Sequence, residues 1–265
     1  MSHPGPSLAL AATLLFLSGR SFAIDPAGTQ GGAGVGTGTE AAVARGTPSA
    51  GPAQNSLAAA LAALPESERF GYARTTGGRA ERVDILFSRK REGGQLRYEL
   101  LSRSPDEDES YILDPVDLSM IRSDITTRTA TSVIHRTTEV LEDKSSLAPD
   151  QLMLAANPPF LQRLRFLPFD KKPVYRILFQ GGQSLPGFSL ILSVSGREKI
   201  EVADRSWDCW KLELGAKGVV GGLFGKSHYW YQAEWPHVLV RSEGPSSFPG
   251  SPLVRLELVS YETTP

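Results

Sequence analysis

The chain has 265 residues, with 28 Lys and Arg against 29 Asp and Glu, so its formal net charge is −1. A hydrophobic content of 40% is ordinary for a globular protein, and the length allows one domain of moderate size or two small ones. Binding to nucleic acid depends on clustered Lys and Arg, and the absence of a basic stripe argues against such a partner. The single cysteine, Cys209, excludes an internal disulfide.

The N terminus predicts export. Leu8–Ser18 is an apolar run that would span about 17 Å as a helix, against about 30 Å for the bilayer core. Small residues at Ser21 and Ala23 predict a signal peptide over residues 1–23, cut after about Ala23, although no Lys or Arg precedes the run. The alternative is a hydrophobic helix that stays attached. Without a cysteine nearby there is no lipobox, so we expect a periplasmic or secreted protein with no transmembrane anchor.

Residues 24–55 are rich in Gly, Ala, Thr and Pro and offer little to bury, which predicts a disordered linker. Asn55 or Ser56 is suited to cap a short helix over Leu57–Leu64, before Pro65. We therefore place a single domain at residues 56–265.

From Phe70 onward, apolar and polar residues alternate, as in Val83, Ile85 and Phe87. This period of two indicates half-buried antiparallel strands. We expect about five of them between Arg69 and Glu142 and about six between Lys172 and Glu262. A repeated strand–helix–strand unit is absent from the sequence, which disfavours a parallel nucleotide-binding sheet.

Leu147–Phe169 interrupts this pattern and predicts a helical insertion. Asp150 is suited to cap a first helical turn, and Asn157-Pro158 to begin a second helix. In the second helix, Phe160, Leu161 and Leu164 share one face, and Arg165 lies off it.

The strand predicted at His228–Trp235 is apolar on both faces, because Tyr229 and Tyr231 point one way and Trp230 the other. Such a strand must be covered twice. Either helices cover one face and a ligand or second layer the other, or a helix layer combines with ordinary edge contacts.

Gly225-Lys226-Ser227 superficially resembles a phosphate-binding loop. That motif needs a glycine five residues before Gly225, where Val220 stands, and it must open a helix rather than a strand. We therefore expect no nucleotide site. The glycine-rich stretch instead predicts a long connection with a Leu223-Phe224 tip, either buried or touching a membrane or partner.

Other chemistry is weakly indicated. His135, His228 and His237 lack ligand spacing on one element, although a turn at Trp235-Pro236 would allow the last two to face each other. The acidic run Pro105–Ser110 lacks the glycine of a calcium loop and predicts a solvated turn. There is no Gly-x-Ser-x-Gly elbow around Ser195-Gly196, which we place at a strand end, and we expect Cys209 to be buried. We expect no metal, no cofactor and no enzyme activity.

The order of elements resembles the periplasmic lipoprotein-carrier superfold, which includes LolA-type carriers, LppX-type lipid binders and the RseB-type sensor domain. The similar stretches, spanning about Leu57–Tyr261, are "LAAALAALPESERFGYARTTGG", "SGREKIEVADRSWDCWKLEL", "YWYQAEWPHVLVRSEG" and "LVRLELVSYE". The ending is also similar to bacterial secreted families of unknown function on this fold. The resemblance implies a mainly β (α+β) fold, a strongly curved antiparallel half-barrel of about ten to eleven strands with short helices covering its concave face.

Such a half-barrel would have an apolar concave pocket suited to acyl chains. The residues expected to line it are Phe87, Tyr98, Phe188, Leu190, Trp210, Tyr229 and Tyr231 from the sheet, with Leu161 and Leu164 from the lid. The leading hypothesis is an exported, non-enzymatic envelope protein that binds a lipid or lipidated partner. Two alternatives remain open: an envelope scaffold or sensor that binds a protein and has a filled core, and a hydrolase.

Overall fold

A computed structural model describes residues 57, 59–139, 151–154, 157–179, 188–216, 225–245 and 251–264. Several sequence predictions lie outside these residues: the signal peptide (1–23), the linker (24–55), the caps at Asn55, Ser56 and Asp150, and the Leu223-Phe224 tip. The part of the chain that the structure describes contains no helix long and apolar enough to cross a membrane.

Most of the described chain forms β-strands. The strands are β1 (Ser67–Thr76), β2 (Arg79–Glu92), β3 (Gln95–Arg103), β4 (Glu107–Leu113), β5 (Met120–Arg128), β6 (Val133–Glu139), β7 (Gln151–Leu154), β8 (Val174–Phe179), β9 (Phe188–Val202), β10 (Arg205–Ala216), β11 (Ser227–Gln232), β12 (Leu239–Pro245) and β13 (Leu253–Thr264). One helix, α1, spans Asn157–Leu164, and residues 59–62 are also helical.

The strands form one open, curved sheet in the order β6-β5-β4-β3-β2-β1-β13-β12-β11-β10-β9-β8-β7. Strands consecutive in the chain are neighbours in the sheet, except β6 and β7, which lie at its two ends. All pairs are antiparallel except β7 with β8. The structure confirms the mainly β, curved antiparallel sheet, but the expected number of ten to eleven strands was wrong, because the described residues alone form thirteen. The expected cover of short helices on a concave face stays a prediction.

Two segments explain part of this difference. Glu107–Ser110 belongs to β4 and pairs with both β3 and β5, so the acidic run is only in part a turn. Gln151–Leu154, expected to lie in the helical insertion, is strand β7. Its apolar residues lie parallel to the edge of β8, where their backbone groups find partners. The second predicted helix is confirmed as α1.

Ser195-Gly196 lies inside β9 rather than at a strand end. The register of β9 with β10 passes from Gly196 to Val194 and leaves Ser195 opposite no residue, which is a β-bulge. Gly196 has a φ of +124°, a conformation that residues with a side chain rarely adopt.

The sheet buries apolar side chains on both faces. The main cluster gathers buried side chains from β1 to β5, from β8 to β13 and from α1, including Tyr229 and Tyr231. A second cluster contains Trp230, Cys209 and Val240, with Ile200 and Val202 from the end of the long β9–β10 hairpin. Since successive side chains in a strand point to opposite faces, β11 contributes to both clusters, as its sequence predicted. The second layer over Trp230 is the protein's own hairpin.

Candidate functional site

The structure brings most of the predicted lining residues together. Phe87, Tyr98, Leu161, Leu164, Leu190, Tyr229 and Tyr231 are buried members of the main cluster, and the half-buried Trp210 packs against it. Phe188 lies at the start of β9, and its side chain is outside the described residues. The predicted lining residues other than Phe188 therefore share one contiguous apolar region.

We call residues 157–169, which comprise α1 and the loop after it, the lid segment. Its side chains Phe160, Leu161 and Leu164 are buried in the main cluster. The hydroxyl of Tyr231 donates a hydrogen bond to the carbonyl oxygen of Leu161 at 2.8 Å. The lid segment thus lies on the face of the sheet that carries the main cluster, and its own side chains fill part of the region predicted to bind a ligand.

An ion pair buried between the lid segment and the sheet joins Arg165 to Glu68 of β1. Both residues are only 1% exposed. Nη1 and Nη2 of Arg165 donate to the two carboxylate oxygens of Glu68 at 2.8 and 2.9 Å. Nε of Arg165 donates to the carbonyl oxygen of Pro236 at 2.9 Å, in the turn between β11 and β12. One guanidinium therefore ties the lid segment to two distant parts of the sheet.

Tyr261 of β13 completes this cluster by donating its hydroxyl to Glu68 at 2.6 Å. Burial and the bond to Glu68 raise the pKa of Tyr261, so the phenol keeps its proton and remains a donor. Sequence reasoning missed these residues. Arg165 lies off the apolar face of the predicted helix, which is typical of solvent exposure, and its partner is 97 residues away.

Aromatic rings surround the outer end of the lid segment. Phe166 packs against Trp235 with ring centroids 5.9 Å apart, and Phe169 lies 5.5 Å from His237 and 5.6 Å from Tyr231. Trp235 is 45% exposed, and the Trp235–Pro236 peptide bond is cis. These rings form a rim where the lid segment meets the β11–β12 turn.

The histidines do not form a site with one another. His237 Nδ1 donates to the carbonyl oxygen of Gln232 at 2.9 Å, and burial lowers its pKa. His228 instead lies 3.4 Å from Glu213. The suggestion that these two histidines face each other was wrong. His228 lies near the start of β11 opposite Glu243, whereas His237 lies in the turn beyond the other end of that strand. Among the described residues, no group of three His, Cys, Asp or Glu side chains is placed to hold a metal ion.

Two hydroxyls on the face of the main cluster have no hydrogen-bond partner. They belong to Tyr229 of β11 and Ser242 of β12, which are cross-strand neighbours and are 2% and 0% exposed. Burial raises the pKa of Tyr229, and the nearby hydroxyl of Ser227 offsets part of this shift. An unpartnered buried hydroxyl costs about 1–3 kcal/mol of stability. Two such hydroxyls side by side are unusual in a protein interior. No sequence pattern predicted a role for Ser242.

Beyond these hydroxyls the same face becomes polar. Ser242 is the neighbour of Leu256 in β13, which is in turn the neighbour of Arg74 in β1. Arg74 forms an ion pair with Glu81 of β2. The face therefore passes from an apolar region under the lid segment, through two free hydroxyls, to a charged region.

Further into the charged region lies Glu109, whose pKa is raised to about 7 by burial and by the charge of Glu107. Tyr111 donates its hydroxyl to Glu109 at 2.9 Å, and Thr127 donates to Glu107 at 2.9 Å. At neutral pH Glu109 therefore exists in both protonation states.

Cys209 is buried as expected, with 0% exposure. Burial, followed by the charge of Asp208, raises the pKa of its thiol to about 12. Nucleophilic cysteines need a lowered pKa and some exposure. Cys209 therefore belongs to the packing of the second cluster.

No family model matches the chain, and no curated protein matches it. Among solved structures, it is similar to a β-barrel-like protein of domain of unknown function DUF1849 from Brucella abortus, with a TM-score of 0.40 and 7% identity over 76% of this chain and 99% of that one. It is also similar to the hypothetical lipoprotein YmcC from Escherichia coli, with a TM-score of 0.33 and 12% identity over 77% and 89% of the two chains.

A third similar structure is the Pseudomonas aeruginosa MucA/MucB complex, with a TM-score of 0.33 and 16% identity over 81% of this chain and 59% of that one. These TM-scores and identities are too low to transfer a family, a ligand or a partner to this chain. The resemblance of its sequence to the lipoprotein-carrier superfold stays a prediction.

Proposed function

We propose that this chain is an exported, non-enzymatic envelope protein that binds the acyl chain of a lipid or lipidated partner beneath its lid segment. The observation that carries the proposal is the way the apolar face is covered. A lid whose helix has eight residues lies on the large main cluster and is joined to the sheet by specific polar contacts.

These polar contacts suit a lid that moves. The hydroxyl of Tyr231 holds the lid segment through the carbonyl oxygen of Leu161. A similar bond from Tyr98 to the carbonyl oxygen of Leu61, at 3.3 Å, holds the separate helical residues 59–62 to the sheet. A typical hydrogen bond contributes only about 0.5–1.5 kcal/mol net, because water replaces the lost partner when the groups become exposed. The Arg165–Glu68 pair is the strongest contact, and lifting the lid would return both charges to water.

The apolar contacts between the lid segment and the sheet indicate which kind of ligand could bind in their place. Phe160, Leu161 and Leu164 place hydrocarbon against the sheet where an acyl chain would lie. An acyl chain that entered as the lid lifts would replace these contacts with similar ones, at about 25 cal/mol per Å² of apolar surface buried.

A second candidate function is favoured by the tight burial of the lining residues and by Trp235 on the rim. In this alternative the core stays filled, and a partner protein binds at the exposed Trp235 and its neighbour Phe166. Tryptophan is enriched among the residues that dominate protein interfaces, which supports this choice of surface.

Native mass spectrometry of the protein purified from its producing cell distinguishes the two. We expect a bound mass in the range of a lipid, or uptake of a phospholipid offered in detergent. A clean unliganded mass with no uptake would overturn acyl binding. In that case, Trp235→Ala should abolish co-purification of a partner without lowering the melting temperature, whereas Val259→Ala, a change at another exposed apolar residue, should not.

A further inference from the structure

Tyr229 and Ser242 carry the two buried hydroxyls of the main face that have no hydrogen-bond partner, and we infer that these hydroxyls together bind the carbonyl oxygen of a neutral acyl ester or amide. The inference rests on the proposed function and gives the acyl ligand an orientation, with its polar group at this hydroxyl pair and its hydrocarbon chain under the lid segment.

The other tyrosines show how unusual Tyr229 is. The chain has seven tyrosines, and the structure describes all of them. Six donate their hydroxyl to a protein group; they are Tyr72, Tyr98, Tyr111, Tyr175, Tyr231 and Tyr261. Only Tyr229 keeps a buried hydroxyl without a partner. A fold that satisfies six of seven tyrosines leaves this donor available to a group from outside.

Ser242 is placed so that its hydroxyl and that of Tyr229 can donate to the same acceptor. Ser242 is the residue directly opposite Tyr229 in the β11–β12 pair, and neighbouring strands lie about 4.8 Å apart. On its other side Tyr229 faces Leu212, a member of the main cluster, so the pair points to the apolar face. A carbonyl oxygen has two lone pairs and accepts from two donors.

The orientation follows from β11 itself. Tyr231 is two residues further along the strand, on the same face, and is bonded to Leu161 of the lid segment. Two residues of strand span about 7 Å, the length of several methylene groups. A chain that begins at Tyr229 and follows β11 therefore passes beneath the lid segment.

The charges nearby favour a neutral ligand group. Across the sheet from Ser242, the nearest cation in the same row of paired residues is Arg74, two strands away. The guanidinium of Arg74 already forms an ion pair with Glu81. The hydrogen-bond donors at the proposed carbonyl site are the uncharged hydroxyls of Tyr229 and Ser242. Burying a carboxylate without its own cation is far more costly than burying an ester or amide carbonyl that accepts two hydrogen bonds. We therefore expect selectivity for esters and amides over free fatty acids.

The experiment compares monopalmitoylglycerol with palmitate, using wild type, Tyr229→Phe, Ser242→Ala and the double variant. Binding is measured by tryptophan fluorescence and native mass spectrometry, and stability by urea unfolding without ligand. We expect wild type to prefer the ester, and the double variant to bind it roughly tenfold or more weakly. Since neither hydroxyl has a partner, each variant should be at least as stable as wild type. Tyr72→Phe, which removes the bond to the carbonyl oxygen of Leu239, is the matched control and should lower stability without changing the ester preference.

Each other result is decisive. Binding of the ester by the double variant as tightly as by wild type, or a preference for palmitate, would overturn the hydroxyl pair as the carbonyl site while leaving acyl binding intact. A loss of stability in Tyr229→Phe or Ser242→Ala would show that an internal partner, such as an ordered water, satisfies these hydroxyls, and would also overturn it. If wild type binds neither probe, the proposed function fails and the inference fails with it.

Discussion

Arg165 and Glu68 form a buried, bidentate ion pair that joins the lid segment to the first strand of the sheet across 97 residues of sequence. Removing one partner of such a pair leaves an uncompensated buried charge, whereas replacing both by apolar residues is often tolerated. The pair should therefore stabilise the packing of the lid segment against the sheet, and this contribution can be measured.

We expect Arg165→Met to lower the free energy of unfolding by about 3–5 kcal/mol, and the double variant Arg165→Met/Glu68→Met to recover part of that loss. Urea unfolding followed by circular dichroism provides the measurement. Arg82→Met is the control, because Arg82 forms a solvent-exposed pair with Asp84 whose loss should change stability little. Equal effects of Arg165→Met and Arg82→Met would contradict the structural importance of the buried pair.

A second prediction concerns pH and Glu109. Its pKa in the folded protein is about 7, above the ordinary value of 4.5, so the folded state binds this proton more tightly than the unfolded state. The contribution of Glu109 to stability is therefore most favourable below about pH 4.5, declines as pH rises to about 7 and is constant above that.

Replacement by Gln, which resembles the protonated carboxyl, should remove this dependence. Glu109→Gln should become more stable relative to wild type by roughly 1–3 kcal/mol between pH 5 and pH 8. Urea midpoints measured across that range give the difference, in which other titrating groups cancel. Glu92→Gln, at an exposed position, should run parallel to wild type. A Glu109→Gln curve that is also parallel would show that the pKa of Glu109 is not raised.

The thiol of Cys209 offers a probe of unfolding. Because it is buried and its pKa is raised to about 12, we expect no reaction with a thiol reagent at pH 8 in the native protein. In increasing urea, labelling should appear at the same midpoint as the loss of β-sheet signal. Rapid labelling without denaturant would contradict the packing of the second cluster.

Trp230 tests the second layer of the fold. It lies on the face opposite Tyr229, beneath Lys211 and Arg241, whose charged groups lie 5.3 and 5.9 Å from its ring centroid. Removing a buried aromatic side chain leaves a cavity, so Trp230→Ala should cost about 3–5 kcal/mol. Trp235→Ala, at a 45% exposed site, should change stability by less than about 1 kcal/mol. Similar losses in both variants, measured by thermal unfolding, would mean that the hairpin does not cover Trp230.

Much of the fold could be predicted because it depends on local pattern. The alternation in β2, β3, β9, β10 and β13 indicates strands without knowledge of their partners. Asn157-Pro158 marks the start of α1, and the opposite orientations of Tyr229 and Trp230 follow from the two-residue period of a strand. Most of the proposed lining residues could be named for the same reason.

The predictions of secondary structure were wrong where the conformation of a segment depends on the strand that it pairs with. Gln151–Leu154 is too short to show a period, and it becomes a strand through its pairing with β8. The acidic residues from Glu107 onward were predicted to form a turn, but in the structure they belong to β4, which pairs with β3 on one side and β5 on the other. A short segment with weak local preference adopts the conformation that satisfies its backbone in the folded protein.

The balance of charge, the strand pattern, the single cysteine and the two apolar faces of β11 could be read from residue types and near neighbours. Three features emerged only in the folded protein: the burial of Arg165 against Glu68, the placement of β6 and β7 at opposite ends of the sheet, and the absence of a hydrogen-bond partner for Tyr229 alone among the tyrosines. These features depend on which distant segments meet and in which register. Register sets every contact across a sheet, and it depends on the folding of the whole chain.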